Sequence, residues 1–313
     1  MQKLSPQFLS RFLLVFLGFC LSLSLASASA QTTEVAPEST ISSLQAVVLG
    51  IVQGITEFLP ISSSAHLKVV PVALGWGDPG ITFTAVIHLG SIAAIIWYFR
   101  DDLKQLLQGT WQGIQKKDYH NSELRLSVGI LLGTLPIVVC GLLWKKFVTD
   151  ESPLRSMTTI ALTSIGIGLL LGISEWIGTR DRAEKDIKPQ DAILMGIAQA
   201  LALIPGTSRS GITITAGLFL GLDRPTAARF ALLMGIPTIL LAGGVELTDV
   251  LQQGWNQIEI IPLVIGTITT FIFSYLSVVG LIRYLQQQNT WVFVAYRLLF
   301  GGFIFWGVFT SRW

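Results

Sequence analysis

The chain has 313 residues, of which 51% are hydrophobic and only 13% are charged. A soluble domain has about 25% charged residues, so this composition excludes an ordinary soluble globular protein. The net charge is +2 and the Lys and Arg residues form no basic stripe, which argues against a nucleic-acid partner. Apolar runs of about 20 residues recur and are long enough to cross a membrane. An all-α polytopic membrane protein is therefore predicted.

The first 30 residues have the pattern of a secretory signal peptide. Lys3 and Arg11 provide positive charge, an apolar run follows, and Ala28-Ser29-Ala30 forms a small-residue cleavage site. An uncleaved anchor helix is the alternative for this segment. Residues 31–43 are polar and show no hydrophobic period, so they are predicted to form an exposed linker.

Six further segments are predicted to span the membrane. They are Ile81–Phe99, Leu126–Trp144, Met157–Ile177, Phe230–Leu247, Ile260–Ile282 and Trp291–Phe309. Connecting loops rich in Lys and Arg usually stay in the cytoplasm, which places loops 100–125 and 178–190 inside. Loop 248–259 has no Lys or Arg and is predicted outside. Loop 145–156 must then also lie outside, despite its three basic residues.

This orientation leaves two segments that enter and leave the membrane on the same side. Segment 44–80 enters from outside and segment 191–221 from inside, so both are predicted to be re-entrant helix–break–helix hairpins. Each hairpin is followed by three spans, which divides the chain into a first repeat, 44–177, and a second repeat, 191–310. They are joined by the cytoplasmic loop. An odd number of spans per repeat makes the copies antiparallel, as in an inverted-topology duplication.

The two hairpins are also similar in sequence. Gly50-Ile51-Val52-Gln53 is matched by Gly196-Ile197-Ala198-Gln199. Pro60–Ala65 is matched by Pro205–Ser210 when one residue is allowed as a gap. Functional sites in inverted duplications typically form from broken helices at the interface of the repeats. We therefore expect the functional residues to lie at the two breaks.

The first break places a group of polar side chains inside an apolar hairpin. Its members are Gln53, Glu57, Ser62, Ser63, Ser64 and His66. Pro60 ends one half-helix, because its ring and its missing N–H cannot continue the helical ladder. The three serines are favourable caps for the half-helix that restarts, whose free N–H groups favour an anion. An ionisable group at membrane depth is costly, which makes Glu57 and His66 candidate functional residues.

The second break, Pro205–Thr213, carries further signals of phosphate binding. Its hydroxyl groups belong to Thr207, Ser208, Ser210 and Thr213. Arg209 offers a planar guanidinium that matches phosphate oxygens, and an arginine at membrane depth is expected to have an anionic ligand. Phosphoryl transfer needs charge neutralisation, a nucleophile and a proton donor. The two breaks together supply all three.

The balance of charge predicts a divalent cation. A diphosphate carries about three negative charges, which Arg209 alone cannot neutralise. We therefore expect Mg²⁺ or Ca²⁺, held in part by Glu57 as a metal ligand. His88 lies in a span and is predicted to be packed or hydrogen-bonded rather than catalytic, and Glu246 is predicted to be interfacial or paired.

At these motifs the sequence resembles the undecaprenyl-diphosphate phosphatases of the BacA type, the bacitracin-resistance family. Gln53–His66 matches the family's E/Q-x-x-x-E segment followed by P-x-S-S-S/T-x-H, and Pro205–Thr213 matches P-G-x-S-R-S-G-x-T. The resemblance covers about residues 44–310. It implies an integral-membrane hydrolase with an inverted-repeat fold in the bacterial inner membrane. Such an enzyme converts undecaprenyl diphosphate to the monophosphate and orthophosphate and recycles the carrier lipid for peptidoglycan synthesis.

The resemblance also implies roles for individual residues. Glu57 is the motif carboxylate, and Arg209 is the phosphate-binding arginine. Ser63 and His66 belong to the first catalytic motif. Two alternatives remain for Ser63. It is either the nucleophile or a hydrogen-bond donor to phosphate while His66 or water attacks. The orientation predicted above places the site on the periplasmic side of the membrane.

Further positions and partners follow from the same resemblance. Ser208 and Thr213 match functional positions, whereas Gln53 stands where the family often has Glu, which removes one metal ligand. The expected partners are a polyprenyl diphosphate, the membrane and bacitracin, which acts on the same substrate; a homodimer is left open. A transporter or flippase of a phosphorylated polyprenyl lipid is the alternative function, because inverted repeats and broken helices are transporter devices. The density of Ser, His and Arg favours the enzyme.

Overall fold

The computed structural model describes residues 41–148, 152–253 and 259–310. These ranges contain eleven α-helices. Their bounds are α1 Ser43–Phe58, α2 Ser63–Ala73, α3 Gly80–Tyr98, α4 Arg100–Lys116, α5 Ser122–Phe147, α6 Met157–Ile177, α7 Pro189–Ala200, α8 Arg209–Phe219, α9 Arg224–Gln253, α10 Ile260–Gln287 and α11 Trp291–Phe309. The predicted signal peptide and the first ten residues of the predicted linker lie outside the described residues.

Six helices of the described part are long and apolar enough to cross a membrane, namely α3, α5, α6, α9, α10 and α11. This confirms the prediction of six spans, and α6 and α11 have the predicted bounds residue for residue. Exposed apolar side chains such as Leu131, Leu135 and Leu142 lie along α5. A surface of this kind suits contact with lipid rather than water.

The prediction that residues 100–125 form a connecting loop between the first two spans is wrong in one respect. It contains α4, a helix of 17 residues. Asp101 and Asp102 stand in its first turn and Lys116 in its last, and these charges stabilise the helix dipole at both ends. The number of charged residues is typical of a loop, whereas their spacing along the helix leaves an apolar stripe on one face of α4. That exposed stripe consists of Leu107, Trp111 and Ile114.

The short helices α1 and α7 are each held by a spanning helix from the other half of the chain. Helix α10 packs along α1 and α3, and helix α5 packs along α7 and α9. Glycine permits these close crossings: a Cβ on Gly50 would lie 2.7 Å from the carbonyl oxygen of Gly266. A Cβ on Gly196 would overlap the carbonyl of Gly133. Small residues at membrane helix crossings let backbones approach closely in this way.

Ion pairs join the loops into two separate sets. Lys145 Nζ lies 2.8 Å from Asp249 Oδ1, which connects the ends of two segments predicted to be outside. Arg229 lies 2.7 Å from Asp102 and 2.9 Å from Glu184, which connects three segments predicted to be inside. The predicted inside and outside segments are therefore each brought together by the packing.

Candidate active site

The breaks before α2 and α8 share an unusual backbone conformation. Ser62 precedes α2 with φ 76°, and Ser208 precedes α8 with φ 69°. A positive φ at a residue other than glycine costs about 1–3 kcal/mol and persists only where the surroundings enforce it. In each break the hydroxyl of this residue lies beside the hydroxyl two residues later, Ser64 at 3.2 Å and Ser210 at 3.3 Å. The two breaks therefore repeat one another in backbone and in this pair of hydroxyl groups, although Ser208 caps its helix and Ser62 forms no capping hydrogen bond.

Hydrogen bonds bring the two breaks together. The backbone N–H of Gly206 donates to Ser64 Oγ at 3.4 Å, and Ser210 Oγ donates to the carbonyl of Leu59 at 3.0 Å. The starts of α2 and α8 consequently lie side by side. Helix starts carry free N–H groups and a partial positive charge, so two adjacent starts favour binding of an anion.

Glu57 at the end of α1 is the centre of the site. Its Oε2 accepts hydrogen bonds from Ser63 Oγ at 2.7 Å and from Gln53 Nε2 at 3.0 Å. Its Oε1 lies 3.1 Å from Arg209 Nη2, and both side chains are largely buried. The structure thus brings together four of the residues singled out in the sequence, with the carboxylate at their centre. A buried carboxylate paired with an arginine and held by two further donors stays ionised and oriented.

His88 on α3 is a neighbour of this carboxylate that the sequence patterns did not assign to the site. Its Nε2 lies 3.4 Å from Glu57 Oε1, and its Nδ1 lies 3.3 Å from Glu246 Oε2. Glu246 is therefore paired, which is one of the two roles predicted for it, and His88 connects two carboxylates. The signal that could have indicated it is the presence of a histidine within an apolar span.

Arg209 is fixed at both ends of its guanidinium. One nitrogen, Nη2, contacts Glu57, and the other, Nη1, donates to the carbonyl of Gly235 on α9 at 3.0 Å. An arginine has five N–H donors, so hydrogen bonds remain for a ligand. The side chain is held at the junction of α1, α8 and α9, where it can stabilise negative charge without further rearrangement.

His66 is directed away from Glu57. Its Nδ1 lies 2.7 Å from the carbonyl oxygen of Ser62, and its Nε2 lies 2.6 Å from the hydroxyl of Tyr296 on α11. The ring stacks on Phe300 with a centroid distance of 4.0 Å. Both ring nitrogens are therefore engaged at the start of α2 and on α11.

Two of the four predicted hydroxyl groups of the second break serve α8 itself, whereas that of Ser210 donates to Leu59. Ser208 Oγ accepts from the N–H of Gly211 at 3.1 Å, which caps the helix. Thr213 Oγ1 donates to the carbonyl of Arg209 at 2.7 Å within the same helix. Thr207 is buried, and its hydroxyl has no hydrogen-bond partner in the described part of the chain. Of this group, Thr207 is the one with a hydroxyl left to offer a ligand.

Arg297 on α11 is a second residue that the sequence patterns did not single out. It is fully buried, and it donates to the carbonyls of Pro60 at 3.2 Å and Gly206 at 2.8 Å. It also donates to the carbonyls of Ser164 and Thr163 on α6. One side chain therefore ties both breaks to α6. An arginine in the middle of an apolar span is the signal that could have indicated it.

The residues present offer limited support for a metal site. Across the ranges that the structure describes, no group of three His, Cys, Asp or Glu side chains could hold a metal ion. Both oxygens of Glu57 already accept hydrogen bonds from other side chains. Mg²⁺ is commonly held by one or two carboxylates together with substrate phosphates. A cation at Glu57 would therefore take its other ligands from the substrate and from water.

Six helices of the described part can span a membrane, and an arginine, a serine and a carboxylate meet at the two breaks. This arrangement defines an integral membrane protein with a buried polar site at two helix breaks. The chain belongs to the family described as bacitracin resistance protein BacA, which matches residues 46–303.

Named relatives show the same similarity. The chain is 59% identical over 260 residues to an undecaprenyl-diphosphatase of Trichormus variabilis, which covers 82% of this chain and 81% of that protein. It is 54% identical over 269 residues to an undecaprenyl-diphosphatase of Synechococcus elongatus, covering 85% and 93%. It is also 52% identical over 279 residues to an undecaprenyl-diphosphatase of a Synechocystis species, covering 88% and 86%.

Proposed function

We propose that this protein is an undecaprenyl-diphosphatase, which hydrolyses undecaprenyl diphosphate to undecaprenyl phosphate and orthophosphate. The observation that carries the proposal is the hydrogen bond of 2.7 Å from Ser63 Oγ to Glu57, whose other oxygen is paired with Arg209. A nucleophile beside a base, at two helix starts that favour phosphate, is the arrangement that phosphoryl transfer needs. The relatives that carry this activity in their names support the choice of substrate.

The geometry favours Ser63 as the nucleophile and Glu57 as its base. Glu57 takes the proton of Ser63 while Oγ attacks the terminal phosphorus. The bond from this phosphorus to the bridging oxygen breaks, and the lipid monophosphate leaves with the electron pair. Glu57 passes its proton to the departing monophosphate and is again a carboxylate. Water then attacks the phosphoserine and gives a proton to Glu57, which returns it to Ser63 Oγ as the bond from phosphorus to this oxygen breaks; orthophosphate is released and Ser63 is restored.

Arg209 and the two helix starts stabilise the charge that develops on the phosphoryl oxygens. A positioned donor of this kind contributes about 10²–10³ in kcat in other enzymes. Arg297 adds a second buried positive charge at the breaks, and its hydrogen bonds in the structure go to carbonyls. The protein thus places two buried positive charges at the breaks, and Arg209 is the one that keeps several N–H donors for the diphosphate.

A divalent cation, Mg²⁺ or Ca²⁺, remains part of the proposal. Glu57 would hold it, and its charge would offset the negative charge of the diphosphate. The expected result is that EDTA inactivates the enzyme and that either metal restores it. An unchanged turnover in EDTA would leave charge neutralisation to Arg209 and Arg297 alone.

The catalytic assignment is tested by release of phosphate from undecaprenyl diphosphate by purified protein in detergent. Ser63→Ala should abolish turnover, and the unaltered enzyme should give a phosphoserine at Ser63 when the reaction is quenched in acid. Ser122→Ala is the control, since Ser122 is exposed at the start of α5 and its hydroxyl donates to the neighbouring Glu123. Substrate binding without turnover by the unaltered protein would support the alternative, a lipid carrier, because detergent micelles have no second compartment to which a carrier could deliver lipid. Turnover without a phosphoserine would assign the attack to water.

The proposed fold is an inverted repeat of two re-entrant hairpins, each followed by three spans. Its support is that the same number of residues separates Gln53 from Ser62 and Gln199 from Ser208, so the hairpins align without the gap expected from the sequence. In this register Pro60 is equivalent to Gly206, and both carbonyls accept from Arg297. Helices α1 and α7 are also held in equivalent ways, by α10 and α5.

The proposed orientation places the site toward the periplasmic side of the inner membrane. Its support is the loop charges together with the two sets of ion pairs, one at Lys145 and Asp249 and one at Arg229. Turnover there would reduce the amount of diphosphate on which bacitracin acts. Cysteines placed at Gln252 and Lys185 in a cysteine-free background test the orientation. A membrane-impermeant maleimide should label the first in intact cells and the second only after lysis.

A further inference from the structure

His66 has two strong contacts and takes no part in the catalytic sequence derived above. We propose that Tyr296 and His66 form a strut that holds the start of α2, and with it Ser63, in place. In this role both are positioning residues, and His66 is not the nucleophile. The proposal rests on the proposed function for its kinetic consequences, but its chemical test does not.

The direction of the hydrogen bonds follows from the acceptor at one end. The carbonyl oxygen of Ser62 can only accept, so the proton lies on His66 Nδ1, at 2.7 Å. In a neutral imidazole Nε2 is then the acceptor, and the hydroxyl of Tyr296 donates to it at 2.6 Å. The chain of donors runs from α11 through the imidazole to the backbone of the break. Nε2 is covered by the phenol and is not available for attack on phosphorus.

The packing fixes the ring in this orientation. Phe300 stacks on the imidazole at an interplanar angle of 5°, and the ring of Tyr296 is inclined to it by 15°. His66 is 4% exposed. Burial disfavours a second proton on the imidazole, and the positive charge of Arg297, which faces the ring from α11, adds to this effect. The groups beside the ring thus keep it neutral, as the strut requires.

The strut ends where the backbone is strained. Ser62 has φ 76°, a conformation that a serine keeps only if its surroundings enforce it. The next residue, Ser63, directs its hydroxyl to Glu57. A hydrogen bond to the carbonyl of Ser62 therefore acts on the peptide unit that orients the nucleophile. Loss of the strut would change how often Ser63 is aligned, which affects kcat more than KM.

Conservative variants of His66 separate the two roles. In His66→Gln and His66→Asn a side-chain amide can still donate to the Ser62 carbonyl and accept from Tyr296, but it cannot act as a nucleophile or transfer a proton. The strut predicts that the better of these variants keeps at least about tenfold more kcat than His66→Ala, in line with the effect of residues that position a catalytic group. Equal inactivity of all three, with unchanged thermal unfolding, would overturn the proposal.

Tyr296→Phe removes the hydroxyl and keeps the ring. We expect kcat to fall about fivefold or more, with KM within about twofold, as for loss of one hydrogen bond. Adding His66→Ala should cause no further loss beyond His66→Ala alone, because both changes break the same strut. Tyr284→Phe, on α10, is the matched control and should keep normal turnover. Losses that multiply in the double variant would contradict a shared role.

A chemical measurement tests the strut without any substrate. Diethyl pyrocarbonate modifies a free imidazole nitrogen, and mass spectrometry of peptides reports the rate at His66. The rate should rise at least about threefold in Tyr296→Phe, because the donor that covers Nε2 is gone. The rate in Tyr284→Phe should equal that of the unaltered protein. An unchanged rate in Tyr296→Phe would show that the hydroxyl does not cover Nε2, whether or not the phosphatase activity is found.

Discussion

Glu57 and Arg209 lie 152 positions apart in the chain, yet Arg209 Nη2 donates to Glu57 Oε1 at 3.1 Å. The pair joins the end of α1 to the start of α8, so it belongs to both hairpins. Breaking a buried pair of this kind leaves one charge without compensation, which is why such pairs are costly to remove. The site therefore depends on the two hairpins being packed correctly against one another.

Replacing Arg209 should remove charge stabilisation at the phosphoryl group. Arg209→Ala is expected to lower kcat by at least about 10²-fold, and Arg209→Lys to retain part of the activity, because a point charge replaces a planar pair of donors. Phosphate release under saturating substrate measures both. Arg229→Ala is the control. Arg229 is paired with Asp102 and Glu184 rather than with Glu57, so this variant should keep kcat within about twofold. Normal turnover of Arg209→Ala would remove this residue from the site.

His88 should support Glu57 without being indispensable. His88→Ala removes one of the groups that orient the carboxylate, while Ser63, Gln53 and Arg209 still contact it. We expect kcat to fall about tenfold with little change in KM, in line with other residues that orient a catalytic group. Glu246→Gln acts one step further away and should have a smaller effect. An inactive His88→Ala with normal thermal unfolding would instead place the imidazole in the reaction itself.

Arg297 should be important for stability as well as activity. Arg297→Met leaves the carbonyls of Pro60 and Gly206 buried and without this donor, at about 1–3 kcal/mol for each. The free energy of unfolding in detergent should therefore fall by about 3 kcal/mol or more. The free energy of unfolding of Arg297→Lys should lie between those of Arg297→Met and the unaltered protein. The exposed Arg100→Met is the control, and an equal loss there would mean that the effect is not specific to the breaks.

The crossing of α5 and α7 provides a test of the packing. In Gly196→Ala the new Cβ would overlap the carbonyl of Gly133, so the two helices must move apart. We expect a loss of about 1–3 kcal/mol in the free energy of unfolding, as for other overpacked positions. Gly244→Ala meets no atom within 4 Å and should be neutral or slightly stabilising. Equal stability of the two variants would argue against the close crossing.

The family and the six spans were predictable from the sequence because both depend on local signals. Long apolar runs form spanning helices in lipid, and the motifs at the two breaks are contiguous stretches of sequence. Pro60 likewise acts on its own neighbours in the chain, because its ring and missing N–H cannot continue the helix. Helix α4 was not predicted because the number of charged residues in its segment is typical of a loop, whereas the helix is encoded in their spacing.

The residues that hold the motif side chains and the two breaks depend on how the helices pack. His88 comes from α3, Tyr296 and Arg297 from α11, and none of them lies within a motif. Sequence spacing places Glu57 and Ser63 near one break, but it does not say which nitrogen of His66 is covered or which arginine holds both breaks. Those contacts join residues far apart in the chain, and only the close crossing of helices from the two halves brings them together.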